Sequence, residues 1–149
     1  MFQGGSSVTL DSKGRVALPT RYRAPLLELC GGHLVITVHY DGCLLMYPQP
    51  VWEDIQRQLL RVPNQDAWVR EYQRMLLGHA HEVDMDGQGR VLIPPRLRET
   101  TELDKRAELV AIGTKFEIWS EEAWSKKLKS LISGQLGDNV PDAIKNLIT

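Results

Sequence analysis

Two aspartates are each followed four residues later by an arginine, in nearly the same surroundings: "DSKGRVALPTRYR" from Asp11 to Arg23 and "DGQGRVLIPPRLR" from Asp86 to Arg98. The chemistry of such a stretch is ionic. At D-x-x-x-R spacing a carboxylate and a guanidinium meet across one tight turn. The aspartate accepts backbone N–H bonds there, and Gly14 or Gly89 takes a positive φ at no steric cost. Two readings of the pair stand side by side. In one, Asp11, Gly14, Asp86 and Gly89 brace a turn and the arginines only complete the brace. In the other, the spare positive charge also forms a surface, because arginine's planar fork matches phosphate oxygens and the edge of guanine. Arg15 and Arg90 are then the first candidates for contact with DNA, with Lys13, Arg21 and Arg96 as supporting phosphate contacts. Arg21 and Arg23, like Arg96 and Arg98, stand two apart on a predicted helix and cannot share a face. One of each pair joins the basic surface while the other buries its stem.

The net charge of −1 argues by itself against a polyanionic partner, but its distribution does not. Segment 10–23 carries +3 (Lys13, Arg15, Arg21 and Arg23 against Asp11) and segment 85–98 carries +2 (Arg90, Arg96 and Arg98 against Asp86), which leaves −6 for the rest. The local field governs encounter with a polyanion. At 42% hydrophobic and 25% charged residues the chain is globular. It has no apolar run of the roughly 18 residues that cross a membrane and no basic-then-apolar leader. Cys30 and Cys43 lack metal or redox spacing and read as reduced core thiols. Together these features place the protein in the cytoplasm.

Other constellations carry less. "LGHAHEVDMDGQG" gathers His79, His81, Glu82, Asp84 and Asp86. A calcium loop needs glutamate at its twelfth position, and "DMDGQGRVLIPP" has glycine too early and proline at the end. Histidines two apart can bind zinc from one strand face; histidines at a strand edge beside acidic groups are the plainer reading. The chain has no nucleophile elbow, P-loop or dinucleotide fingerprint, so neither an enzyme nor a metal or cofactor is expected. A scaffold that binds protein through acidic outer helices (Glu53, Asp54, Asp66, Glu71, Glu121, Glu122) is the competing class.

The elements that position the repeated turns are themselves repeated. Leu10–Arg23 and Met85–Arg98 share seven of fourteen residues, and Leu34-Val35 aligns with Leu109-Val110 at the same offset of 75. Leu44, Met46, Tyr47 and Trp52 align with Phe116, Ile118, Trp119 and Trp124 at 72, which puts three extra residues around "VHYDG". Two copies are too few for a solenoid and complete each other's core as a pseudo-twofold pair. Each copy reads as strand, turn, strand, short helix, strand, turn, strand, helix. Pro19 and Pro94 begin the short helices, and Ser120 with Glu121 and Glu122 begins the last one. A helix over "DAWVREYQRMLL" places Trp68, Tyr72, Met75 and Leu76 on one face, as core or as a subunit contact. The organisation is a half-unit with its helix (1–60), a connecting helix (61–78), a second half-unit with its helix (79–133) and a tail (134–149) that frays or covers a neighbouring subunit.

Two "D-x-x-G-R-V-x-[LI]-P" elements about 75 residues apart, with the N-terminal "MFQGG", resemble the bacterial MraZ family, part of the AbrB-like swapped-hairpin group. The resemblance spans essentially the whole chain. It implies an α+β fold, a duplicated AbrB-like β-barrel of intertwined half-units with peripheral helices. It also implies a nucleoid-associated transcriptional regulator that binds double-stranded DNA at short direct repeats upstream of the division and cell-wall gene cluster. The family assembles as octameric or dodecameric rings, with the D-x-x-x-R arginines facing DNA.

Overall fold

The computed structural model describes residues 1–134 and 139–147. The first copy runs β1 (Phe2–Thr9), β2 (Arg15–Ala17), α1 (Thr20–Cys30), β3 (His33–Val38), β4 (Leu44–Pro48) and α2 (Gln49–Arg61), and α3 (Ala67–Leu76) follows. The second runs β5 (His81–Asp84), β6 (Arg90–Leu92), α4 (Pro95–Thr100), β7 (Arg106–Gly113), β8 (Lys115–Ser120) and α5 (Glu121–Ile132). A short α6 (Asp142–Lys145) lies in the tail, part of which falls outside the described residues.

The fold is mixed α+β, and all its strand pairings are antiparallel. Six strands form a sheet in the order β1-β7-β8-β4-β3-β5, and β2 pairs with β6 in a separate ribbon. That order is a palindrome of the two copies, so the pseudo-twofold axis passes between β4 and β8. It also passes through the ribbon, where Val16 pairs with its own counterpart Val91. The sequence suggests that each Asp turn closes a hairpin between consecutive strands. Only the tip does so: Leu10 bridges Val16, after which β1 leaves to pair with β7 and β2 pairs with β6. The legs of each turn therefore serve partners from the other copy. Among the described residues the sheet and the ribbon remain two sheets and do not close into a barrel.

Register corrects the alignment of the copies. Val8 pairs with Ala107, and its counterpart Val83 pairs with Leu34. Leu34 is thus equivalent to Ala107, an offset of 73 and not 75. Two of the three extra residues of the first copy belong to its longer first helix, and one to the β3–β4 turn. Leu and Val recur too often in these strands for identity alone to fix a two-residue slip.

The core has two layers. Phe116, Leu26, Ile36, Met46, Ile93 and Leu97, all fully buried, belong to the larger one, on the ribbon and short-helix side of the sheet. On the other face Val35, Leu45, Tyr47, Trp52, Leu76 and Trp119 form the second, under α2, α3 and α5. α3 covers only the first copy, and the paired positions say why. Val35 and Leu45 are buried there, while Glu108 and Glu117 stand at the equivalent positions of the second copy and are half-exposed. Carboxylates cannot be covered by an apolar helix without losing water they would need back. Thr37 also ties α3 down, donating its hydroxyl to the Leu76 carbonyl at 2.6 Å; Val110 at the matching place has none to give.

α3 departs from a core helix. Asp66 caps it, accepting from the Trp68 amide at 2.8 Å, and Leu76 is buried, but Trp68 is 62% exposed. Ser120 caps α5 as its sequence suggests, accepting from the Ala123 amide at 3.1 Å. Both cysteines are free thiols. Burial pushes the Cys43 thiol up to about 12, while Cys30 donates to the Leu26 carbonyl.

Candidate nucleic-acid interface

The two Asp turns are built alike, atom for atom. Asp11 Oδ1 accepts the amides of Lys13 and Arg15, both at 2.9 Å, and Oδ2 accepts Arg15 Nε at 2.7 Å. Asp86 Oδ1 accepts the amides of Gln88 at 2.9 Å and Arg90 at 2.8 Å, and Oδ2 accepts Arg90 Nε at 2.8 Å. Gly14 and Gly89 return their amides to the Asp11 and Asp86 carbonyls at 3.0 Å and take φ of 86° and 75°. The expected brace is thus present in both copies.

These bonds hold the carboxylates ionised. The Arg15 amide, reinforced by its guanidinium and the Lys13 amide and opposed by partial desolvation, brings Asp11 down to about 2. The Arg90 amide acts first on Asp86, which is lowered in the same direction. A carboxyl depressed on folding contributes stability above its unfolded value, near 4, and loses it as pH falls through the folded value. The turn around Asp11 is therefore expected to persist to about pH 3, and a carbon-detected carboxyl titration of Asp11 checks this. A midpoint near 4 would show that the brace does not hold in solution.

Ribbon register then brings the arginines together. Arg15 lies opposite Leu92 and Arg90 opposite Ala17. Alternation points Val16 and Val91 into the core and leaves Arg15, Ala17, Arg90 and Leu92 on the outer face. Diagonal neighbours of this kind lie roughly 7–8 Å apart. Each arginine spends its Nε on an aspartate, and among the described residues its terminal nitrogens have no protein partner.

The helix arginines divide otherwise than by sequence. Arg23 donates Nε to the Leu18 carbonyl at 2.8 Å, and Arg98 to the Ile93 carbonyl at 3.0 Å. Both guanidiniums then cross the axis. A Cβ on Gly14 would fall 2.6 Å from Arg98 Nε, and one on Gly89 would fall 2.7 Å from Arg23 Cζ. Each turn is thus floored by a buried glycine under an arginine of the other copy, and backbone bonds cross with it (Leu18 N–H to the Gly89 carbonyl, Ile93 N–H to the Gly14 carbonyl). Identity between the copies does not separate the two arginines of each helix, since Arg21 and Arg96 recur just as Arg23 and Arg98 do. Arg21 is not brought to the turns. It donates to Ser6 Oγ at 2.8 Å and lies over the Tyr22 ring, beside β1 some five residues before Asp11, roughly 15 Å along an extended strand. Arg96, its counterpart, is exposed and makes no side-chain bond among the described residues. Lys13 is exposed at the tip of the first turn.

His79 and His81 turn to backbone. His79 Nδ1 lies 2.7 Å from the Met75 carbonyl, and His81 Nδ1 lies 2.8 Å from that of His79.

A family model described as "MraZ protein, putative antitoxin-like" matches residues 1–75 and again 76–146, one match to each copy. A protein of Thioalkalivibrio sulfidiphilus named "Transcriptional regulator MraZ" is 56% identical over 126 residues, 85% of this chain and 84% of the relative. Its namesake in Nitrosospira multiformis is 45% identical over 145 residues, covering 97% of both chains, and that of Pseudomonas aeruginosa is 43% identical over 150 residues, covering 99% of both. With a doubled family match laid over a doubled, cross-braced turn, the chain belongs to the MraZ family.

Proposed function

We propose that this protein is a DNA-binding transcriptional regulator, not an enzyme, which reads short direct repeats upstream of the division and cell-wall genes as an oligomeric ring in the nucleoid. One observation carries the reading: two basic turns from opposite copies are joined by one two-stranded ribbon, with Arg15 and Arg90 on its outer face and their terminal nitrogens without a protein partner among the described residues. A ribbon is among the elements that a major groove admits, and bidentate arginine to guanine is its commonest specific contact. Arg15 and Arg90 read bases or phosphates. Lys13 meets phosphate, as do Arg98 and Arg23, which flank the Asp11 and Asp86 turns. Arg21 and Arg96 are outlying phosphate contacts at most. Asp11, Asp86, Gly14 and Gly89 aim the arginines. The crossed legs of the turns support the interleaved AbrB-type barrel that the family resemblance implies.

A single protomer offers only a few phosphate contacts, so its affinity falls steeply with salt. A ring presents the same surface many times, and matched repeats make the second contact intramolecular, adding roughly 10²–10⁴. The test is the slope of log affinity against log salt on one promoter duplex. Alanine at Lys13, Arg23 or Arg98 is expected to flatten it by about 0.9 for each phosphate that is no longer neutralised. Unchanged slopes in all three variants would remove those residues from the interface, and a salt-independent protein pulldown without DNA affinity would favour the scaffold.

A further inference from the structure

The two Asp turns match in geometry but not in the charge around them. Beside the first, Ser12, Gly14, Arg98 and Lys105 line a recess of about 220 Å³. Backbone fixes Lys105 there: its carbonyl accepts the Leu10 amide at 2.8 Å, at the base of the turn. Its side chain is exposed, as is Lys13 at the tip of the same turn. Two carboxylates border the recess, Asp104 and Asp11, and Asp11 is already paired with Arg15. Lys13, Arg98 and Lys105 therefore outweigh Asp104, and the surplus is positive.

The second turn lacks that surplus. Its equivalent backbone bond runs from the Met85 amide to the Gly32 carbonyl at 2.9 Å, so Gly32 stands where Lys105 does. Gln88 replaces Lys13 at the tip, and Gly31 replaces Asp104. Of the flanking cations of the first turn, only Arg98 has a counterpart here, Arg23. Asp84, bonded to His33 Nδ1, leads into this turn where the first copy has Thr9. The helices explain the difference. α1 has eleven residues and ends at Gly31 and Gly32, with φ of 63° and 80°, whose amides return to the Leu27 and Leu26 carbonyls. That cap puts a left-handed glycine at the entrance of β3, where an L side chain is strained. α4 has six residues and ends without glycine, which leaves room for a lysine before β7.

We infer that the Asp11 turn is the stronger clamp on the DNA backbone, with Lys105 as a phosphate contact, and that this inequality sets each protomer on a repeat in one orientation. Turns of equal charge about a pseudo-twofold axis would grip the backbone alike in either direction, because phosphate contacts carry no sequence information directly. Two additional lysines on one side make the two orientations differ in energy, since each neutralised phosphate adds to affinity. A separate recess behind Lys105 and Arg106 gathers Glu102, Glu121 and Glu122, includes no residue of the turn, and limits the clamp on that side. The inference rests on the DNA-binding reading and adds to it a polarity.

The test uses full-length protein and promoter duplexes carrying the direct repeats. In each duplex one neutral methylphosphonate replaces a phosphate at the same place in every repeat, and anisotropy maps the affinity loss along both flanks. For wild type the losses are expected on one flank of each repeat. Lys105→Gln should erase part of that loss and flatten the salt slope by about 0.9, whereas Lys105→Arg should keep the wild-type pattern. Exchanging Lys13→Gln with Gln88→Lys, which conserves net charge, should move losses to the opposite flank. All three positions are exposed, so the variants should keep the wild-type circular dichroism. Equal losses on both flanks, a wild-type slope in Lys105→Gln, or an exchange that moves nothing would overturn the inference and leave the DNA reading standing. Wild-type protein that binds the repeats no better than a scramble would overturn both.

Discussion

Replacing Arg15 and Arg90 together by alanine is expected to abolish discrimination between operator and scrambled DNA while leaving fold and assembly intact. Each good bidentate contact contributes about 1–3 kcal/mol of discrimination, so removing both lowers operator affinity by roughly 30-fold to 10⁴-fold. Structure gives the reason for expecting an intact fold. Both side chains lie on the outer face of the ribbon, beside Val16 and Val91 whose burial is unchanged. The aspartates keep their backbone donors, since Asp11 still accepts from the Lys13 and residue-15 amides and Asp86 from those of Gln88 and residue 90. Titration of labelled duplexes, with circular dichroism and light scattering as controls, measures all three properties. An unfolded or disassembled double variant would show that the ion pairs serve only as braces.

Phe116→Ala is expected to destabilise the protein by about 3–5 kcal/mol, the range for emptying a buried aromatic site. Phe116 is fully buried, with the rings of Phe2 at 4.8 Å and Tyr22 at 5.1 Å. That cluster joins the first strand and first helix of one copy to the last strand of the other, so the cavity opens where the copies interlock. Urea unfolding should show a lower midpoint at an unchanged slope. Ile112→Ala, at an exposed position on the neighbouring strand, should stay within about 0.5 kcal/mol. A Phe116→Ala variant whose midpoint matches that of wild type would mean that the interlocked core is not what holds the copies together.

What the sequence disclosed follows from how local each feature is. The Asp turns and the Ser120 cap are decided within four residues, and both appear as their side-chain chemistry requires. Duplication was legible because seven residues of one fourteen-residue stretch recur in the same order and spacing. Pairing was not: nothing in "RVAL" or "RVLI" says that β2 will choose β6 over β1, since both strands offer the same alternation. The choice between Arg21 and Arg23 turned on which side of α1 faces the other copy, a tertiary fact. The slip between Leu34 and Ala107 arose because strand residues are interchangeable by type and only hydrogen-bond register separates them. Trp68 looked like core because its spacing with Tyr72 and Leu76 is helical, yet α3 has only one side on the sheet. An amphipathic stripe tells that a face is apolar, not whether this chain or another covers it.

Fluorescence anisotropy tests most directly whether the crossed turns form one sequence-selective DNA surface. The labelled duplex is this organism's own sequence upstream of its division genes, against a composition-matched scramble, from low to moderate salt. Tight binding that requires the direct repeats, weakens linearly in log salt and disappears in the Arg15→Ala, Arg90→Ala double variant is the predicted result. Equal affinity for both duplexes, or no binding at any salt, would contradict it.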